Sequence, residues 1–419
     1  DAAPKADLGE TRTIGTSAVG DVGALLWVAE QLDLVGHIDR ACAGHGAKDG
    51  PSVGEMVLAV ALQRACVPGP KRDLSEFLDA SVPRVSCLPA STFTGQAFHR
   101  MAQRVTEAEL EAAQLALAKA AVGRFKLSTN VLAFDTTNFD THIATTTSGE
   151  LARRGHAKSK RSDLRVVGLG VLVSETGHVP LLHRTYAGNA SDHTVLEDCL
   201  DGLGRLHDAL DDAERREQQP LRTLVRDGGS WGEQLELALD LTGYFTLVSL
   251  PLGHNAAEIA LTHAATRGSM KHLKKPFADV RAARTRADVG DLERTLVVVE
   301  SQELLRGQKR GIAAALKKAK RELRKLERAC ANRRIHRDAL ERRVATALKR
   351  EHLAAFVMYR IGGTNETPTL DWSVDPAKRR DLERTRLGKR VLCTDRHNWS
   401  TERIVSAFRG QWNVEELFR

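Results

Sequence analysis

The chain lacks the marks of several large protein classes. Only six of its 419 residues are cysteine. Cys42, Cys66, Cys87, Cys199, Cys330 and Cys393 include no closely spaced pair, which excludes a zinc ribbon or a CxxC redox centre and fits reduced thiols in a cytoplasm. The longest apolar run, Met56 to Leu62, is far too short to span a bilayer, so no membrane role is expected. No leader pattern opens the chain, because Asp1 to Glu10 is polar and of mixed charge. The first residue is Asp1 rather than Met, and the true start is expected upstream. None of the fifteen histidines falls in an HExxH arrangement, and no GxxxxGK[ST] loop occurs. Zinc peptidase chemistry and P-loop ATP hydrolysis lose their usual motifs.

What the sequence does have is positive charge, with a formal net value of +8. The excess is concentrated: from Arg306 to Arg350 there are 17 Lys or Arg against 4 Asp or Glu. Such a run forms either a solvated helix face or a contact for a polyanion, of which nucleic acid is the commonest.

Residues from about Val22 to Ala121 carry helical spacing, as in Val22-Leu25-Leu26-Val28 and Val57-Val60-Leu62, broken by Pro and Gly. The character changes at Leu127. Val131-Leu132-Ala133-Phe134 reads as a buried strand ending at Asp135. Arg165 to Val173 and His178 to Tyr186 read as a hairpin turning at Glu175-Thr176-Gly177. A helix over Thr194 to Leu210, a strand Leu221 to Val225 ending at Asp227, a helix Glu233 to Leu241 and a strand Tyr244 to Leu250 follow. The expected class is a mixed α/β sheet. From Pro251 to about Gly388 the alternation stops. That region reads as an insertion, with Leu316, Ala319, Leu323, Leu326 and Cys330 at the seven-residue spacing of a coiled-coil helix. Sheet pattern resumes at Arg390-Val391-Leu392, and a last helix starts near an N-cap at Ser400.

Asp135 and Asp227 each stand where an apolar strand run ends, at the rim where sheets bind ligands. Aspartates there also serve as turn caps, most obviously Asp227 before Gly228-Gly229. Phe408, Gln411, Glu415 and Phe418 share one face of the last helix. Two strand-end aspartates followed by a helical glutamate form a set of hard oxygen donors. Such a set suits two Mg²⁺ or Mn²⁺ ions of the kind that act on phosphodiesters. Arg153, Arg154, Lys158, Lys160 and Arg161 crowd the polar stretch after the first aspartate strand and read as a solvated loop or a phosphate-gripping edge.

Five stretches, AFDTTNF (Ala133 to Phe139), RGHAKSKRSDL (Arg154 to Leu164), GHVPLLHRTYAGNASD (Gly177 to Asp192), VRDGG (Val225 to Gly229) and RGQWNVEELFR (Arg409 to Arg419), resemble the IS4-superfamily insertion-sequence transposases, within them the IS1634-like group. The resemblance implies an RNase H-like mixed-sheet catalytic domain interrupted by an insertion and preceded by a helical N-terminal domain. The expected domains are 1–126 (helical, DNA-binding), 127–252 (catalytic, first part), 253–388 (insertion with a long basic helix) and 389–419 (final strand and helix, truncated). It further implies Mg²⁺-dependent cutting of element ends and joining to target DNA, with Asp135 and Asp227 matching the two catalytic aspartates. Glu415 matches the glutamate of the Tyr-x2-Arg-x3-Glu-x6-Lys signature, with Glu416 as its neighbouring alternative. Phe408 then stands at the Tyr position and Gln411 at the Arg position, both as DNA contacts. The Lys position, 422, falls past Arg419. Terminal inverted repeats, target DNA and a second copy in a synaptic dimer are the implied partners, and the bacterial nucleoid is the implied location.

Overall fold

The computed structural model describes residues 20–46, 49–81, 85–144, 146–210, 222–350, 352–412 and 414. It divides into two compact units, one of residues 1–129, 176–183 and 201–219, the other of residues 130–175, 184–200 and 220–419. Among the described residues, no helix is long and apolar enough to cross a membrane.

The first unit contains α1 (Gly20–Gln31), α2 (Leu34–Ala41), α3 (Val53–Cys66), α4 (Leu74–Asp79), α5 (Gly95–Ala102) and α6 (Glu107–Phe125). Two of these helices start on reciprocal capping boxes, Ser52 with Glu55 on α3 and Thr106 with Glu109 on α6. Each box satisfies backbone donors that a helix start leaves unpaired. Met56, Ala59, Leu62, Leu74 and Phe93 fill its core.

The remaining elements begin with β1 (Val131–Thr141), β2 (Arg165–Ser174) and β3 (Pro180–Ala187). The expected single helix after β3 is two helices, α7 (Asp192–Asp198) and α8 (Leu200–Leu210). Ser191 is the N-cap of α7, its side chain accepting from the Thr194 N–H. Then come β4 (Thr223–Arg226), α9 (Glu233–Leu241), β5 (Phe245–Leu250), α10 (Asn255–Ala265), β6 (Lys271–His272), β7 (Arg281–Val289) and β8 (Leu292–Glu300). The chain continues through α11 (Gln302–Ala331), α12 (Arg337–Leu348), β9 (Val357–Gly363), β10 (Pro368–Val374), α13 (Pro376–Thr385), β11 (Lys389–Thr394) and α14 (Thr401–Arg409).

Nine strands form one sheet in the order β3-β2-β1-β4-β5-β11-β8-β7-β6. β1 is antiparallel to β2 and parallel to β4, and β4 is parallel to β5. A three-strand meander continued on its inner side by two parallel strands is the RNase H-like arrangement. The fold is therefore mixed α/β with that sheet at its centre.

The segment read as one insertion, 253–388, divides in two. β6, β7 and β8 lie within the main sheet, β8 pairing with β11, which itself pairs with β5. Only α11, α12, β9, β10 and α13 build a separate core, around Leu316, Leu323, Leu326, Leu340 and Phe356. The basic run also divides, into α11 and α12. The seven-residue stripe of α11 is buried, but against α12 and the β9–β10 hairpin of its own chain rather than along a coiled-coil partner.

Opposite that buried stripe, Arg310, Lys317, Arg321, Arg324 and Arg328 are exposed on the outer face of α11. They span about 27 Å along the axis, at 1.5 Å per residue. Ion pairs do engage their neighbours, Lys309 with Glu383 at 3.0 Å and Arg343 with Glu322 at 2.6 Å. Among the described residues, no carboxylate pairs with the five outer cations.

Candidate active site

The parallel register of β1 and β4 pairs Phe134 with Arg226. The next residues are Asp135, within β1, and Asp227, the first residue past the end of β4, which the register continues to set beside Asp135 at the strand spacing of about 4.8 Å. β4 ends here, whereas β1 runs on to Thr141 with β2 alone. This is the point where the sheet order changes direction, the usual place for a ligand in an open α/β sheet.

Alternation along the strands fixes the face. Asp135 shares its side of β1 with Val131 and Ala133, and Asp227 shares its side of β4 with Val225. All three valine and alanine side chains belong to the core cluster that also holds Val171, directly across from Asp135, and Ile404, Val405, Ala407 and Phe408 of α14. The two carboxylates thus sit at the open end of the face that α14 covers. Asp135 is half-buried and Asp227 exposed. Asp227 takes the N-cap position of the 3-10 turn Gly228–Ser230 but makes no side-chain cap hydrogen bond. Turn capping does not account for its carboxylate.

Val414, just past α14, is fully buried in the same cluster. Glu415 and its alternative Glu416 follow it directly and lie outside the described residues. Among the described residues no group of three or more His, Cys, Asp or Glu could hold a metal. Two adjacent carboxylates do fit Mg²⁺ or Mn²⁺, which keep several waters and take one or two protein carboxylates beside substrate phosphate.

Phe408 and Gln411, expected to face DNA, are both buried. Phe408 is a core residue, with the Arg390 guanidinium 5.9 Å from its ring centroid. The physical reason is the short α14, which buries Ile404, Val405 and Ala407 together with Phe408 and leaves that stripe no route to a ligand. Trp231, after the turn, packs edge-on against His254 at 4.6 Å between ring centroids and belongs to core packing.

The basic loop lies against β1. Asn138 clamps it from two sides, its Nδ2 donating to His156 O at 2.9 Å and its Oδ1 accepting from the Lys158 N–H at 3.0 Å. The Lys158 ammonium reaches back to donate to Thr136 O at 2.5 Å, one residue from Asp135. The five cations are not equivalent. Arg161 forks onto Asp163 at 2.7 and 2.5 Å, holding that carboxyl down at about 2 and neutralising its own charge locally. Arg153 donates to Glu150 O at 3.2 Å. Arg154 and Lys160 are exposed.

Two glycines let the loop fold back this closely. A Cβ on Gly155 would stand 1.8 Å from Gly188 O, and one on Gly188 would stand 2.0 Å from Val166 O. Both obstacles are backbone, which cannot step aside as a side-chain end does. Gly155→Ala is expected to cost about 1–3 kcal/mol, the range for overpacking. Urea denaturation measures it, and a loss below about 0.5 kcal/mol would mean that the loop relocates freely.

Sequence reasoning missed a buried polar network behind β4 and β5. Arg226 and Glu236 pair there with almost no exposure, and Thr246 Oγ1 donates to Glu236 Oε2 at 3.1 Å. Asp395, at the end of β11, accepts from the Thr246 N–H at 2.9 Å with Arg294 at 4.0 Å. The partners are remote in sequence, so no local motif reveals them. Burial pushes the Asp395 carboxyl up to about 6, against the opposing Thr246 N–H and Arg294 charge. A carboxyl raised on folding binds its proton more tightly in the native state. Its contribution to stability is therefore largest at low pH and is lost as pH rises from about 3.8 to about 6. Asp395→Asn keeps the acceptor for Thr246 and is expected to flatten the stability profile over that window, with its relative gain above pH 6. Denaturation midpoints at pH 4.5 and 7 check this. A larger loss at pH 7 than at pH 4.5 would show that the charge pair with Arg294 outweighs burial.

No family model matches the chain, and no curated protein matches it. Among solved structures it is similar to a Mos1 transposase paired-end complex with left transposon end, at 10% identity over 48% of this chain and 60% of that one, TM-score 0.18. It is also similar to a piggyBac transposase synaptic complex with hairpin DNA, at 10% identity over 68% and 59%, TM-score 0.29. A pre-cleavage Mos1 transpososome gives 10% identity over 48% and 60%, TM-score 0.19. The chain spans about three fifths of the length of each of these proteins.

Proposed function

We propose that this chain is a DDE-type transposase of the IS4-superfamily, IS1634-like kind, cutting and rejoining DNA at the ends of an insertion sequence. The observation that carries the reading is the side-by-side placement of Asp135 and Asp227 at the switch point of an RNase H-like sheet, on the face that α14 covers. Glu415 would complete the donor set from the chain that follows Val414. Two bound Mg²⁺ or Mn²⁺ ions would supply activation of a water or 3′-hydroxyl and stabilisation of the leaving oxygen.

The protein's own groups divide the remaining work. Asp135 and Asp227 hold the cations. Lys158, tethered beside Asp135, places a positive charge where a phosphate would lie, and Arg154 and Lys160 extend that charge outward. Phosphate contacts of this kind set position rather than sequence preference, so recognition of the terminal inverted repeats is assigned to other surfaces, the helical unit first among them. Pairing of two element ends calls for two copies in the reacting complex, and the bacterial nucleoid is where such a complex would act.

The test is an end-cleavage and joining assay with Mg²⁺ on DNA carrying the inverted repeats that flank the reading frame. Cleavage at the repeat boundary followed by joining to a second duplex supports the reading. Cutting without joining, at sites unrelated to the repeats, would make the chain a metal-dependent nuclease on the same scaffold. Cutting that persists after chelation would remove the acidic pair from the chemistry.

A further inference from the structure

We infer that Arg226, which never reaches the active-site face, is a positioning residue that sets the aim of Asp227; this inference rests on the metal-binding reading of Asp135 and Asp227. Arg226 immediately precedes Asp227 on β4, and alternation sends its side chain to the opposite side of the sheet. There it is completely buried. Its Nη2 donates to Glu236 Oε1 of α9, and its Nη1 donates to Ser230 O at 2.9 Å.

The second bond matters for the site. Ser230 closes the turn that follows Asp227, and it grips Asp227 twice: its N–H donates to Asp227 O at 3.1 Å and its hydroxyl donates to the same oxygen at 2.7 Å. Arg226 therefore reaches forward across the turn and fixes the residue that fixes Asp227. Glu236 is held in turn by Thr246 Oγ1 of β5, and Thr246 O accepts from Thr394 Oγ1 of β11 at 2.6 Å. The turn also has no room to shift toward β5, because a Cβ on Gly228 would stand 2.7 Å from Ser249 O.

Burial without charge compensation is costly, and a buried pair contributes little net stability over apolar residues of similar volume. What Arg226 contributes that a leucine or methionine cannot is a donor aimed at one carbonyl. Asp227 sits on an exposed turn at the end of a four-residue strand. Without the clamp its carboxylate would sample orientations that Asp135 cannot match. Partners that orient a metal ligand typically change metal affinity 10–100-fold when removed.

The probe is Mn²⁺ alone, titrated into the full chain and followed by the loss of free-ion electron paramagnetic resonance signal. Arg226→Met strands Glu236 in the core, so the informative variant is the double replacement Arg226→Met with Glu236→Leu, which removes both charges together. Ser230→Ala, which deletes one grip on Asp227 and no charge, is the second. Both are expected to keep the near-ultraviolet circular dichroism of the parent chain while weakening Mn²⁺ binding, by about tenfold or more for the double variant and less for Ser230→Ala. Arg226→Lys, keeping the charge for Glu236 with a donor of different geometry, is expected to fall between. Parent-like Mn²⁺ affinity in folded double and Ser230→Ala variants overturns the positioning role and leaves the metal site standing. No Mn²⁺ binding by the parent chain overturns the metal reading itself.

Discussion

Asp135→Asn and Asp227→Asn are each expected to lower Mg²⁺-dependent DNA cleavage by about a thousandfold or more. Each replacement keeps the size of the side chain and removes one anionic donor from a pair set side by side by the β1–β4 register. Metal ions contribute several kcal/mol of charge stabilisation to phosphoryl chemistry, and each ~1.4 kcal/mol is tenfold in rate. DNA affinity measured in the absence of metal is expected to stay within about two- to threefold, because the proposed function assigns the grip on phosphate to the cations. Gel-shift titration and single-turnover cleavage separate the two effects. Loss of binding in step with cleavage would mean that the aspartates support the fold of the basic loop instead. Cleavage at near-parent rate in either variant would displace the site.

Replacing Arg310, Lys317, Arg321, Arg324 and Arg328 together by glutamine is expected to weaken DNA binding by several orders of magnitude at low salt. The loss should be the same for all sequences. The five lie along one face of α11 opposite its buried stripe, and none has a carboxylate partner among the described residues. A row of about 27 Å, at 1.5 Å per residue, suits the backbone of one duplex turn. Each phosphate neutralised releases condensed counterions, which steepens the dependence of log K on log salt by about 0.9 per contact. Removing five cations should flatten that slope by roughly 3 to 4.5. An unchanged slope would make the stripe a solvated face, the other reading its composition allows.

The strands around the site were legible because burial writes itself into composition. Val131 to Phe134 and Leu221 to Val225 read as strand runs followed by Asp135 and Asp227, and the turn at Glu175 to Gly177 marks the hairpin. The seven-residue stripe of α11 was equally plain as a buried face, although nothing local says what buries it. The identity of its cover, α12 and the β9–β10 hairpin, depends on tertiary pairing. The same limit explains β6, β7 and β8. Their alternation is that of any half-buried strand, and their addition beyond β11 is a long-range choice. Phe408 and Gln411 were placed toward DNA by the resemblance to the family signature, while helical spacing says only that they share a face and not whether that face points at the core or the ligand. The Arg226 clamp was invisible because its function lies in a bond to a carbonyl, which any residue type at position 230 supplies.

β11 has a consequence for how the molecule comes to exist. It is the single strand that joins β3-β2-β1-β4-β5 to β8-β7-β6. Until it is in place, β5 and β8 each present an open edge of unpaired amides and carbonyls, a template for wrong partners. Its bonds close very long loops: Asp395 meets Thr246 across 149 residues, and Arg396 meets Thr223 across 173. Pairings so distant in sequence form slowly. α14, which covers the face bearing Asp135 and Asp227, follows β11 in the chain and cannot dock before it. A ribosome that has released β1 through β5 has therefore made the strands that carry the acidic pair, but neither the strand that joins them to β8 nor the helix that covers their face. The late strand acts as a timer as well as a staple.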